Sequence, residues 1–351
     1  MEEYIALDAH KHYSLGEREP VSAGAARQQR IEHERGAIRA YLADAEAGTP
    51  VAVEATGSWY WIADEIEEAG CRTALVHAYK AKVMLGCINK TDQLDVHGLN
   101  RLQRTGTLPT VWVPPAALRD RRELPRIRMF LVSHRGRLKN RIQAELTKYG
   151  VPVRGVSDTF GVQGQRMMKA NVELLPPVTR RMTELLLEQY AYVDEQVRKT
   201  EQQIEAMIEV SPAMQGLMTI PGIGRILASV IALEVGDVRR FASAQHLASY
   251  AGTTPRVHAS GDKTRYGRLR QDVNRQLKWA FIEAANGVCM NRRRATHRHV
   301  SHLYERLARH KGHAKAIGAV ARHLAEATFY VLSRNEAYRD PMLNREDSKG
   351  A

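Results

Sequence analysis

The chain has few cysteines: Cys71, Cys87 and Cys289 are the only three in 351 residues, and none forms a CxxC pair. That excludes a disulfide scaffold and an ordinarily spaced zinc ribbon or finger, and it suits a reducing compartment. Long apolar runs are also missing. The longest, near 226–235, contains Ser229 and Glu234 and falls well short of the ~20 residues a membrane span needs. The start, Met-Glu-Glu-Tyr, is acidic and has no apolar signal core. Acidic residues are in deficit, 39 Asp+Glu against 52 Lys+Arg, for a formal charge of +13. Hydrophobic residues still make up 44%, enough for two or three domains with their own cores. The expectation is a soluble, intracellular, basic protein without a membrane partner.

What is present is cation, and it is clustered. Nine Lys/Arg lie between Arg119 and Arg141, among them Arg135, Arg137, Lys139 and Arg141, opposed only by Asp120 and Glu123. Further basic belts run over 263–275 and 292–309, whereas 32–68 is acidic on balance. One such run could be a solvated helix face. Three in one chain point to a polyanion footprint, because each neutralised phosphate releases condensed counterions.

The first 110 residues read as strands alternating with helices, a mixed α/β pattern. Tyr4–Asp8 and Val51–Val53 are short apolar strands, each running into a carboxylate, Asp8 and Glu54. A helix is expected around 25–47 from Ile31, Ile38 and Leu42 on one face. Trp59–Ala69 is another, stopped by Gly70. Thr73–Val76 is a third strand, and Thr91 can cap a helix starting at Asp92. Beyond Pro114-Pro115 strand signals fade, and a basic helix is expected over 126–149, stopped by Gly150. Gly161–Gly164 reads as a weak linker. Leu186, Val193, Thr200 and Met207, alternating with Tyr190, Val197 and Ile204, make three heptads. That pattern fits a coiled-coil hairpin or dimer contact, and equally an ordinary bundle helix. From Ser211 onwards the chain reads as helical, with a Gly-, Ser- and cation-rich loop at 253–267.

Four constellations could carry chemistry. Asp8 and Glu54 end strands, and Asp92 and Asp95 lie three apart on one helix face. Four converging carboxylates raise one another's pKa and call for a cation. Their hard oxygens suit Mg²⁺ or Mn²⁺, and a pair of such ions serves phosphodiester transfer. Singly, each acid is a cap or surface residue. The second constellation, Ile220-Pro221-Gly222-Ile223-Gly224-Arg225 before an apolar helix, looks like a helix-hairpin-helix turn presenting backbone N–H groups to phosphate; the alternative is a tight αα-turn. In the third, Ser260-Gly261 sits among Lys263, Arg265, Arg268 and Arg270. A Ser-Gly pair is usually a turn, but arginines beside a hydroxyl can hold a scissile phosphate. Last, His297, His299, His302, His310 and His313 cluster; the His299–His302 spacing could hold a metal, yet no cysteine or carboxylate pair complements it, and they read as polar surface.

Taken in order, these residues resemble a known family. Strand-Asp8, Glu54-Ala55-Thr56-Gly57, Lys90-Thr91-Asp92-Gln93-Leu94-Asp95, Ile220-Pro221-Gly222-Ile223-Gly224, Ala251-Gly252 with Pro255, Ser260-Gly261 and Gly312-His313-Ala314-Lys315-Ala316 are similar to the DEDD transposases of bacterial insertion sequences (insertion-sequence family one-ten), over about residues 3–335. The resemblance implies α/β plus all-α architecture. An RNase-H/RuvC-like domain with the basic helix would cover 1–150, a coiled-coil connector 151–210, a helical transposase domain with the helix-hairpin-helix-like element 211–335, and a polar tail 336–351. It implies that Asp8, Glu54, Asp92 and Asp95 bind the metal, Mg²⁺ or Mn²⁺ and two ions, and that Ser260 attacks DNA to form a phosphoserine link. It further implies DNA and a structured guide RNA as partners, a homo-oligomer, and a cytoplasmic, nucleoid-associated place in a bacterium. Gly222, Gly224, Arg225 and the basic residues named above would contact nucleic acid. The chain departs from the family pattern at Val273-Asn274, where Gly-Asn is frequent, and at Ala259, where Gln often precedes the serine. The rival readings are a hydrolytic junction-resolving nuclease and a non-catalytic nucleic-acid-binding protein.

Overall fold

The computed structural model describes residues 3–22, 24–86, 91–261 and 263–342, so Cys87, Lys90 and most of the polar tail lie outside the described residues. The chain divides into two compact units, Met1–Ala117 and Leu118–Ala351.

The first unit runs β1 (Glu3–Ala9), β2 (Tyr13–Pro20), β3 (Arg27–Glu32), α1 (Ala37–Tyr41), β4 (Pro50–Glu54), α2 (Trp59–Glu68), β5 (Arg72–Val76), α3 (Ala78–Leu85) and α4 (Asp92–Arg104). The strands form one sheet in the order β3-β2-β1-β4-β5. β1 and β2 pair antiparallel, as do β2 and β3, whereas β1-β4 and β4-β5 are parallel. Strand alternation sorts the central side chains. Ile5, Leu7, Val51 and Val53 join Ile38, Leu42, Ile62 and Ile66 on one face. Ala6 and Ala52 face the other way, where their small size admits Val96, Leu99 and Leu102 of α4.

The helix expected over 25–47 is corrected by this sheet. Residues 27–32 form the edge strand β3, and only α1 is helical. The spacing of Ile31, Ile38 and Leu42 did mark three residues of one core; Ile31 reaches it from a strand. What the helical reading missed is the antiparallel run of β2 against β1, from Glu3↔Pro20 to Ala9↔Ser14, which leaves β2 free to pair with 27–32. The short α1 is fixed from outside: buried Glu65 accepts the N–H groups of Gly36, Ile38 and Arg39 at 2.6, 3.0 and 3.3 Å, meeting donors a helix start leaves unpaired.

The second unit comprises α5 (Ala116–Lys148), α6 (Val162–Val172), α7 (Pro177–Met207), α8 (Pro212–Met218), α9 (Arg225–Val235), α10 (Ala244–Tyr250), β6 (Pro255–Ser260), β7 (Lys263–Leu269), α11 (Arg275–Asn291), α12 (His299–Lys311) and α13 (His313–Arg334). The basic helix thus packs with the helical part of the chain. α5 and α7 run antiparallel: Arg128 pairs with Glu201 at 2.6 Å and, one heptad on, Arg135 pairs with Asp194 at 2.6 Å. Between them Leu138, Ile142 and Leu146 meet Tyr190 and Val193, with Phe160 and Met168 closing the cluster. The heptad is therefore spent inside the chain as a helical hairpin. It ends at buried Ile204, and Met207, the last position of the pattern, is exposed. Gly161 is no linker but the N-cap of α6.

The larger core gathers α8, α9, α10, α11, α12 and α13 around Phe281, Leu277, Ile231 and Leu324. The glycine-rich segment after α8 is a turn into α9. Gly222 has φ +83°, and a Cβ there would lie 2.3 Å from the Ala284 carbonyl oxygen. Its glycine is required by the close approach of α11. The cation-rich segment expected as a loop is instead the β6–β7 hairpin, paired from Val257↔Tyr266 to Ser260↔Lys263. Among the described residues no helix is long and apolar enough to cross a membrane.

Candidate functional site

Strand register places the first two acids on neighbouring strand ends. Leu7 pairs with Val53 across the parallel strands, so Asp8 and Glu54, one residue on, stand side by side at the carboxyl ends of β1 and β4, where open α/β sheets bind ligands. By alternation both share the face of Ala6 and Ala52, the face covered by α4. The first turn of α4 carries Asp92 and Asp95. Thr91 caps that turn, its Oγ1 accepting the Leu94 N–H at 3.3 Å. The helix is moored by buried Glu17 of β2, which accepts from Asn100 Nδ2 at 3.1 Å and lies 3.1 Å from His97 Nδ1.

A residue that sequence reasoning missed stands between the acids. His10 Nε2 lies 3.1 Å from Asp8 Oδ2 and 3.2 Å from Asp92 Oδ2, and ligand atoms of Asp8, His10 and Asp92 all fall within 4.8 Å of one another. Tyr13 adds a second tether, donating its hydroxyl to Asp92 at 2.8 Å, while the Arg30 guanidinium stacks 3.6 Å from the Tyr13 ring centroid. His10 and Tyr13 stack at 4.7 Å, held by the His10 N–H bonding the Tyr13 carbonyl. The sequence held no local signal for it: the expected strand stops at Asp8, and His10 follows β1 in the connection to β2.

Asp8 is 9% exposed. Burial pushes its carboxyl above the ordinary carboxylate range; His10 draws it down, and Asp95 and Asp92 push it up again. Such a group gains from a neighbouring cation. Hard carboxylate oxygens with one imidazole fit a divalent ion. The His299–His302 spacing holds no comparable group among the described residues: the His299 N–H caps α12 onto buried Asp340, and its ring packs 5.0 Å from His323.

In the second unit Ser260 is exposed at the end of β6, opposite Lys263. Gly261, at φ +57°, supplies the left-handed conformation of the tight connection; Asp262 lies outside the described residues. Lys263 and Arg265 on β7 are exposed on the face of Ser260, and Arg268 is exposed nearer the ribbon's base. Arg270 is bound at the ribbon's base to Asp272 at 2.6 Å, which holds the Asp272 carboxyl down at about 2. The departure at Val273 has a structural counterpart: a Cβ on Gly252 (φ +68°) would lie 2.4 Å from Val273 Cγ2. Asn274 caps α11 through the Leu277 N–H at 2.9 Å.

The other basic candidates are used differently. Arg135 pairs with Asp194, Arg141 with Glu145 at 2.7 Å, and Lys139 sits 4.9 Å from the Phe160 ring centroid. Arg137 is exposed. Arg225 donates to the Glu205 carbonyl at 2.8 Å, near the end of α7. Gly224, N-cap of α9, has open space around its Cβ direction.

Comparison with known proteins covers both parts. A family model described as transposase of the IS116/IS110/IS902 family matches residues 214–301, and an IS110 DEDD transposase model matches residues 22–151. The first span includes Ser260 and the ribbon, and the second includes Glu54, Asp92 and Asp95. The chain is 27% identical over 297 residues to a probable family 20 transposase of Pseudomonas aeruginosa, covering 82% of this chain and 85% of that protein. It is 25% identical to the transposase for insertion sequence element IS1111A of Coxiella burnetii, over 72% of this chain and 69% of that one. A pilin gene-inverting protein of Moraxella bovis is 29% identical over 162 residues, 42% of this chain and 49% of that protein.

Proposed function

The chain belongs to the IS110/IS116 family of DEDD transposases, and on that premise we propose that it breaks and rejoins DNA through Ser260, with Asp8, Glu54, Asp92 and Asp95 as the metal-holding set. The observation that carries the reading is the shared face: two strand-end acids in register, opposite a helix whose first turn brings two more. The same sheet, antiparallel on one side and parallel on the other, supports an RNase-H/RuvC-type first unit.

Asp8, Glu54, Asp92 and Asp95, with His10 beside them, would hold Mg²⁺ or Mn²⁺, two ions by resemblance, whose chemistry is to stabilise charge on phosphate and leaving oxygens. The protein's own groups do the rest. Tyr13 and His10 orient Asp92 and Asp8. Lys263, Arg265 and Arg268 hold the scissile phosphate and take up charge that grows in the transition state. Ser260 Oγ attacks phosphorus, the P–O3′ bond breaks, the serine proton is released and the 3′ oxygen leaves as a hydroxyl. The product is a phosphoserine ester, which the 3′ hydroxyl of a second strand can attack in the reverse sense. The open N-cap at Gly224 can receive a further phosphate. The exposed Arg137 extends the cationic surface over which DNA and, by resemblance, a structured guide RNA would bind. An oligomer is the assembly this resemblance carries.

Strand transfer on labelled DNA, with and without Mg²⁺, tests the reading. Ser260→Ala and Asp92→Asn should each lose product while retaining DNA binding. Metal-dependent cleavage by Ser260→Ala that releases simple hydrolysed ends would replace it with the hydrolytic nuclease.

A further inference from the structure

The reverse side of the ribbon has no place in the chemistry just described. Within β6–β7, alternation and the pairs His258↔Arg265 and Ser260↔Lys263 put these four residues on one face. Val257↔Tyr266 and Ala259↔Thr264 therefore form the opposite face. Val257 is 56% exposed and Tyr266 72% exposed, although they pair across the strands. Only Pro255 and Leu269, at the base, are even half-buried; every described residue towards the tip is exposed. A two-stranded hairpin with no third layer is marginal in water, and this one leaves an aromatic and a β-branched side chain in solvent. The described ribbon residues include Arg256, His258, Lys263, Arg265 and Arg268 and no Asp or Glu. Charge thus selects nucleic acid as the occupant over an acid-poor protein surface or a second copy of this basic chain.

We propose that the β6–β7 ribbon is a wedge that enters DNA beside the cut. Its cationic face would meet the backbone of the strand to be broken, and Tyr266 with Val257 would stack against bases unpaired from the duplex. Aromatic and apolar side chains serve this role because every base presents a π-face, and because an inserted apolar group offsets lost base stacking. Val257 supports the Tyr266 ring from the neighbouring strand. The inference rests on the Ser260 reading only for which part of the DNA the wedge enters.

The probe is a DNA duplex with a three-nucleotide unpaired bubble carrying 2-aminopurine, compared with the fully paired duplex, with EDTA present to prevent cleavage. The wild-type protein should bind the bubble roughly tenfold more tightly than the paired duplex and change 2-aminopurine fluorescence. Tyr266→Ala should lose that preference and that signal while binding paired duplex as before, and Tyr266→Phe should keep both. Ser260→Ala should match wild type here whatever it does in strand transfer, which separates failure of the wedge from failure of the serine. Equal bubble preference in Tyr266→Ala and wild type would overturn the proposal, as would absence of any preference in wild type. A stronger preference for the same bubble made of RNA would overturn the assignment to DNA.

Discussion

Helix α5 and the β6–β7 ribbon are both thick with arginine and lysine, yet they use the charge in opposite ways. On α5, Arg119 and Arg122 are buried, and Arg122 donates to the Leu233 and Glu234 carbonyls at 2.8 and 3.0 Å. Arg126 pairs with the Glu234 carboxylate at 2.8 Å, and Asn274 donates to the same carboxylate at 2.9 Å. Burial holds the Arg122 guanidinium below its ordinary range, with Glu234 opposing the shift. On the ribbon the cations have no core beneath them. A run of positive charge in the sequence is therefore two things at once, an internal framework in one element and an exposed surface in the other.

The sharpest way to break that contrast is to remove Glu234. Breaking a buried ion pair by deleting one partner leaves an uncompensated charge and costs about 3–5 kcal/mol, so Glu234→Ala should shift the urea midpoint of the second unit strongly downward. A loss below about 1 kcal/mol would mean that the α5 arginines are not framework. The acid cluster of the first unit should show a comparable effect of the opposite kind. At a hundred times its dissociation constant a native-state ligand adds about 2.7 kcal/mol, so Mg²⁺ should raise the melting temperature of wild type and raise that of Asp8→Asn much less. An equal rise in both would move the metal elsewhere.

Smaller effects sharpen the comparison. Lys263→Glu and Arg265→Glu should each flatten the salt dependence of DNA binding by a log-log slope of about 0.9 per lost phosphate contact. Arg137→Glu, on the open side of α5, should do the same, whereas Arg135→Glu should chiefly break its pair with Asp194, at about 0.2–1 kcal/mol. A slope change for Arg135→Glu as large as for Arg265→Glu would erase the distinction. The smallest effect is one of pH. Burial, with His299 adding to it, depresses the pKa of His323 below its usual value; Glu326 and Asp340 oppose this, and Tyr338 faces its Nε2 at 3.2 Å. The unfolded chain then binds the proton more readily, so stability present above the ordinary histidine pKa of about 6.5 is lost as pH falls through it. His323→Gln should flatten the stability curve between about pH 7 and 5.

How much of this was legible in the sequence depended on range. Strand-end Asp8 and Glu54, the Thr91 cap and the stop at Gly70 could be read because each is a local pattern that the sheet and helix obey. The seven-residue repeat from Leu186 was legible as well, though which partner filled it was not: that is α5, some 50 positions earlier in the chain. β2 and β3 were lost because their largely polar residues are extended only through pairing, β2 against β1 and the edge strand β3 against β2. The hairpin at Ser260 was lost for the same reason, since its strands bury nothing and present no apolar alternation to read. His10 was passed over because a histidine near a turn carries no signal until Asp92 is folded against it. Which α5 arginines are internal could not be seen without Glu234, more than a hundred positions away.

The most direct test of the account is the identity of the residue joined to DNA. Wild-type protein, incubated with Mg²⁺ and labelled element-end DNA and stopped in denaturant, should yield a covalent species whose tryptic peptide carries the nucleotide phosphate on Ser260, and Asp8→Asn should yield none. A phosphate mapped to another residue, or an adduct of equal yield from Ser260→Ala, would contradict it.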